Sequence, residues 1–113
     1  MSRDYKVYLD DILESIAKIE RYTEALSYEQ FVDDELRVDA VIRNLEVVGE
    51  AAKKIPSSLR DAHSGVEWQR VAGLRDILIH EYFGVDLEII WDIIQNKLPP
   101  LKDQIGKMMP EEG

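Results

Sequence analysis

The chain contains no cysteine. Disulfides, a thiolate nucleophile and Cys-ligated zinc are therefore excluded, and the lack fits a reducing compartment, so the cytoplasm is the expected location. Histidine is nearly absent as well: His63 and His80 are the only two in 113 residues, and neither has metal-ligand spacing, so neither a metal centre nor a cofactor is expected. Positive charge is scarce, with 14 Lys and Arg against 23 Asp and Glu and a formal net charge of −9. A field of that sign repels nucleic acid and argues against a non-specific DNA or RNA coat. A local cationic cleft remains open, because screening over roughly 8 Å lets a small site differ in sign from the average. Long apolar runs are missing too. Nothing approaches the ~18 residues of a membrane span, and the start, "MSRDYKVYLDD", carries charges where a signal peptide would be apolar, so a soluble protein without membrane contact is expected.

Gly/Ser-rich linkers, repeats and the alternating Val, Ile and Thr of strands are also lacking, which leaves helix throughout. At 113 residues the chain is expected to form a single domain, residues 1–113, burying roughly two thirds of the surface exposed when unfolded. Apolar residues at three- and four-residue spacing (Tyr5, Tyr8, Leu9, Ile12, Leu13, Ile16, Ile19, Tyr22) predict a long helix from Asp4 to about Leu26. Ser27 and Gln30 form a capping box opening a short turn. A second long helix is predicted from about Asp34 to Lys54, with Leu36, Val41, Leu45, Val48 and Ala52 inward, and "PSSLRDAHSG" follows as a short helical turn or loop containing His63, read as a surface residue. The third main helix runs from about Glu67 to Phe83, before Gly84. Asp86 caps a fourth, "LEIIWDIIQNK", whose apolar arc is wider than one core face needs and so suits both the core and a second subunit. Pro99 and Pro100 kink or restart the chain before a last helix, about Leu101 to Met109. The expected fold is all-α, an up-and-down four-helix bundle with additional short helices.

The third helix carries an anomaly in "RDILIHEYFG". On a wheel of about 100° per residue, Trp68, Val71, Ala72, Leu78, Ile79 and Tyr82 form one apolar arc, and Arg75 falls in its middle. A guanidinium keeps its charge, so it requires an acidic partner, a polar interface or a ligand phosphate. His80 lies on the polar side, one turn after Asp76, a spacing suited to fixing its tautomer and raising its basicity. Gly73 leaves space on that face for a backbone or a substrate. Arg75 and His80 leave a straight helix about 140° apart. They meet at one phosphate if the arginine wraps around, if the helix bends, or if two copies face each other across a two-fold axis. In "VVGEAAK", Gly49 and Ala51 permit close helix packing, while Glu50 pairs with a basic side chain, for which Arg75 is a candidate.

Arg75, "DILI", His80, Glu81, Tyr82 resembles the HEPN superfamily signature, an arginine followed after four to six residues by a histidine, in the form that adds a tyrosine two positions later. The surroundings are similar to the HepT-type toxins of that superfamily over nearly the whole chain: "LSYEQF", "AVIRNLEVVGEAAKKI", Trp68, and "YFGVDLEIIWDIIQNKLPPL". One departure is Asp76, where the group most often has asparagine. The resemblance implies a HEPN-like helical homodimer whose paired motifs line an interface cleft and act on RNA as a metal-independent endoribonuclease. In that reading Arg75 and His80 are catalytic, Asp76 supports His80, and the minimal nucleotidyltransferase (MNT) antitoxin neutralises the toxin by attaching AMP to Tyr82. The residues fit this chemistry. RNA brings its own nucleophile, the 2′-OH, and needs a proton-transfer group and a cation for the developing phosphorane charge. Two further readings compete: a non-catalytic HEPN nucleotide-binding or helper subunit of the nucleotidyltransferase, with Arg75 as a phosphate ligand, and a dimer in which Arg75 is an interface salt bridge.

Overall fold

The structure is a computed structural model that describes residues 5–80 and 86–109, the side chains of residues 77, 79 and 80 excepted. Helix α1 (Tyr5–Thr23) turns Leu9, Ile12, Ile16 and Ile19 fully inward, and Thr23 closes it by donating from Oγ1 to Ile19 O at 2.8 Å. The capping box forms as expected at α2 (Tyr28–Asp33): Ser27 Oγ accepts from Gln30 N at 3.2 Å and Gln30 Oε1 accepts from Ser27 N at 2.9 Å. Asp34 both ends α2 and caps α3 (Glu35–Lys53), accepting the Arg37 amide at 3.1 Å.

Helix α3 packs along α1 on one side and along α5 (Trp68–His80) on the other, and α7 (Leu98–Met108) closes against α1. Val41, Leu45, Val48 and Ala52 are fully buried in α3 as predicted, whereas Leu36 is 83 % exposed. Five residues separate Leu36 from Val41, about 140° of helix, so it leaves the core face at the first turn. There Arg37 ties α3 to the end of α1 instead, donating from Nη1 to Tyr22 O at 3.0 Å. Each fully buried Leu, Ile or Val side chain contributes roughly 1.5–3 kcal/mol, so the four of α1 with Val41, Leu45 and Val48 of α3 are a large part of what stabilises the fold. The segment after Pro56 is helical, α4 (Ser57–Ala62), and His63 lies just beyond it as an exposed residue whose carbonyl accepts from Trp68 Nε1 at 3.0 Å.

Asp86 caps α6 (Leu87–Asp92), accepting from Glu88 N at 2.9 Å. Trp91 then packs on α2, its ring 6.0 Å from Tyr28 edge-on and 5.2 Å from Phe31. Desolvation in this junction, with the nearby carboxylates of Glu88, Asp86 and Glu29, raises the Tyr28 hydroxyl pKa above its ordinary value. Beyond Asp92 the chain departs from the expected proline break. A π-helical turn, Ile93–Lys97, joins α6 to α7, with Leu98 N–H bonded to Ile93 O, and Pro99 and Pro100 fall in the first turn of α7. Proline has no N–H to donate, and the first turn of a helix asks for none. The last helix therefore restarts at Leu98, three residues earlier than predicted. Ile90 and Ile94 of the fourth apolar arc are buried, while Ile89 is 60 % exposed, so the arc does exceed one core face. No strand occurs among the described residues, and the fold is all-α. None of the described helices is long and apolar enough to cross a membrane.

Candidate functional site

Gly49 fixes the position of Arg75. A Cβ at Gly49 would come within 2.8 Å of Arg75 N and 3.2 Å of both Arg75 Cβ and Val71 O, so α3 and α5 touch backbone to backbone at this point. The next residue along α3, Glu50, forms an ion pair through Oε2 with Arg75 Nε, as the sequence suggested it could. Arg75 Nη1 stands 3.7 Å from Asp76 Oδ1, and Lys53 Nζ reaches the two oxygens of Asp76 at 3.3 and 3.4 Å. The result is a chain of alternating charge, Glu50, Arg75, Asp76, Lys53, across the α3–α5 seam.

These groups are half-exposed, 39 % for the Arg75 side chain and 47 % for Glu50. Water screens such pairs to about 0–1 kcal/mol each, so the network orients the guanidinium far more than it stabilises the fold. The arginine that the helical wheel placed in an apolar arc is therefore at the edge of that arc, facing a cavity of about 320 Å³. Tyr8 and Asp11 of α1 and Arg43, Glu46, Glu50 and Lys54 of the α3 side form the other walls. Lys54 Nζ lies 5.8 Å from the Tyr8 ring centroid, within cation–π range. Arg43, Lys54 and Arg75 thus meet three carboxylates in one opening.

Apart from Glu50, the sequence reading had missed these wall residues. A signal was there: Arg43, Val47, Glu50 and Lys54 recur at helical spacing, a second stripe beside the core stripe of α3. Asp76 is held in the α3–α5 seam. Its carboxylate is engaged by Lys53 and Arg75, which offsets the charge that would otherwise repel a phosphate. His80 is the last residue of α5, with its side chain outside the described residues, and Tyr82 lies wholly outside them. Gly73 has no atom within 4 Å of where its Cβ would be, so it faces open space and not a neighbouring helix. Among the described residues no group of three or more His, Asp or Glu side chains is arranged to hold a metal ion.

An all-α domain with an Arg–x4–His motif on a helix seamed tightly to its neighbour is the HEPN-like class. Within that class, the family described as Ribonuclease HepT-like matches residues 12–108, and the chain belongs to it. It is similar to "Probable ribonuclease HepT" of Thermococcus cleftensis, 42 % identical over 108 residues that cover 96 % of this chain and 98 % of that protein. It is also similar to "Gamma-glutamylcyclotransferase and putative RNase MJ0434" of Methanocaldococcus jannaschii, 43 % identical over 98 % of this chain. The chain spans half the length of that second relative. No solved structure matches.

Proposed function

We propose that the protein is the toxin of a HEPN/MNT pair, a metal-independent endoribonuclease in which two copies pool Arg75 and His80 across a dimer cleft. The observation that carries this reading is the orientation of Arg75: its helix is held against Gly49, its Nε is held by Glu50, and its guanidinium stands at the mouth of an open cavity. Membership of the HepT-like family and relatives named as ribonucleases support the same reaction class. In the proposed reaction, one His80 takes the proton from the 2′-OH as its oxygen bonds to phosphorus. The P–O5′ bond then breaks, the leaving 5′-oxygen takes a proton from the second copy's histidine, and the products are a 2′,3′-cyclic phosphate and a free 5′-OH. Arg75 stabilises the charge that builds on the phosphorane oxygens. Asp76, already neutralised by Lys53, supports this arrangement without opposing the phosphate. AMP attached by the nucleotidyltransferase antitoxin to Tyr82, which shares the wheel face of Arg75, would bring a phosphate against the guanidinium and switch the site off.

Cleavage of RNA in EDTA by the purified protein tests the proposal. The parent should cleave, and Arg75→Ala and His80→Ala should each lose about 100-fold or more while keeping helicity and oligomeric state. Equal cleavage by all three, or none by the parent, would sink it. Mass spectrometry after incubation with the antitoxin and ATP should find AMP on Tyr82, and added mass that persists in Tyr82→Phe would place the modification elsewhere. A second reading, a non-catalytic nucleotide-binding or helper subunit with Arg75 as a phosphate ligand, is favoured by one observation: Arg43, Lys54 and Arg75 line a single cavity beside the Tyr8 ring. Nucleotide binding lost in Arg75→Ala, with no cleavage by the parent, would select that reading.

A further inference from the structure

A second and larger depression, about 980 Å³, runs on the side of α5 away from the Arg75 cavity, between the end of α3, α4 and the start of α5. Lys53 and Arg60 are its cations, Asp61 and Asp76 its carboxylates, and Ser57 and Ser64 line it with hydroxyls. Two cations against two carboxylates make this groove locally neutral, in a chain whose overall ratio is 14 to 23. Within that tally Lys53 is paired with Asp76.

We infer that this groove is a subsite for the backbone of single-stranded RNA, flanking the bond that the Arg75 site acts on. The inference deepens the ribonuclease reading and rests on it. Three features carry it. The Nε–H of Arg60 is buried with no hydrogen-bond acceptor among the described residues. A buried donor left unpaired is unfavourable, and rotating the guanidinium so that its Nε edge meets a phosphate in a two-bond fork removes that cost. Gly73 lines the groove with nothing within 4 Å of its absent Cβ, so a strand can lie directly on the backbone of α5, two residues from Arg75. Finally, Asp76 is shared between Arg75 and Lys53, so the groove and the Arg75 site are joined by one carboxylate. A phosphate arriving at Lys53 competes with Asp76 for the same ammonium and so loads the groove and loosens the Asp76 contact together.

The test is binding of a fluorescent single-stranded RNA ten-mer whose 2′-hydroxyls are methylated, which removes the nucleophile, read by anisotropy over a range of salt so that it does not depend on cleavage. Arg60→Ala should raise Kd about five- to tenfold and flatten the log Kd against log salt slope by about 0.7, the value of one lost phosphate contact on a single strand. Gly73→Asp places a carboxylate on the open floor and should weaken binding at least as much, whereas Gly73→Ala should stay within about twofold. These two glycine variants serve as well if Arg60→Ala fails to fold. Arg70→Ala removes an 81 % exposed cation on the same helix but outside the groove and is the control for bulk charge. If Arg70→Ala weakens binding as much as Arg60→Ala does, or if Arg60→Ala and Gly73→Asp both bind like the parent, the subsite is overturned. A parent that binds through these residues without cleaving unmethylated RNA overturns the ribonuclease reading alone, and one that neither binds nor cleaves overturns both.

Discussion

Gly49 and Glu50 are adjacent in sequence, but they act on Arg75 by different physics, and substitutions separate the two. The atoms that a Cβ at Gly49 would meet at 2.8 and 3.2 Å include the Arg75 amide nitrogen and the Val71 carbonyl oxygen, which cannot swing aside as a flexible side chain would. Gly49→Ala should therefore push the helices apart and destabilise the fold by about 1–3 kcal/mol in urea unfolding, an overpacking cost that outweighs alanine's better helix propensity. Glu50 touches Arg75 through a half-exposed ion pair. Glu50→Gln should change stability by less than about 1 kcal/mol yet lower the RNA cleavage rate tenfold or more, because the guanidinium loses the group that aims it. A stability loss as large as that of Gly49→Ala, with the rate unchanged, would make Glu50 a structural residue only.

Among the elements, the helices were legible where apolar spacing is regular and less so where a backbone device intervenes. The four inward residues of α1 and the four of α3 from Val41 onward could be read from their period. The inward assignment of Leu36 failed because its position, about 140° round the helix from Val41, lies off the face that Val41, Leu45, Val48 and Ala52 share. The start of α7 was misplaced because a π turn is set by backbone hydrogen bonding and leaves no apolar signature. At the site, the pairing of Arg75 with Glu50 could be read, since it depends on residue type and helical spacing. Arg43 showed only as part of a stripe with Val47, Glu50 and Lys54, and Lys53, Tyr8 and Asp11 could not be read as site residues at all, because which polar stripes face one another depends on how α1, α3 and α5 are rotated. Gly73 also belongs at this scale. It sits inside α5 with open space around it, so Gly73→Ala should raise stability by about 0.5–1 kcal/mol, measured by thermal or urea unfolding, through the entropy of the unfolded chain. A loss of stability would mean that the groove is closed in solution.

For the whole molecule, charge and association are linked. A net charge of −9 opposes both RNA binding and self-association at long range, and salt weakens that opposition. Contacts made by Arg75, Lys53 and Arg60 are weakened by the same salt, so cleavage should pass through a maximum at intermediate ionic strength if both effects operate. The proposed composite cleft also requires two copies. Light scattering at micromolar concentration should give twice the 13.1 kDa mass of one chain, and a monomer would remove the shared cleft. The exposed Ile89 of α6 is the first place to look for the contact.

The π turn at Ile93–Lys97 makes α6 and α7 one rod with slack at its middle. It holds one residue more per turn than the helices on either side, while Trp91 engages Tyr28 and Phe31 at one end and Lys102 reaches Glu20 and Gln104 reaches Gly65 at the other. Because the extra residue is taken up within the turn, removing a single residue there would let the rod close as ordinary α-helix with both ends still facing their partners, whereas the same deletion inside α7 would turn everything beyond it by about 100°.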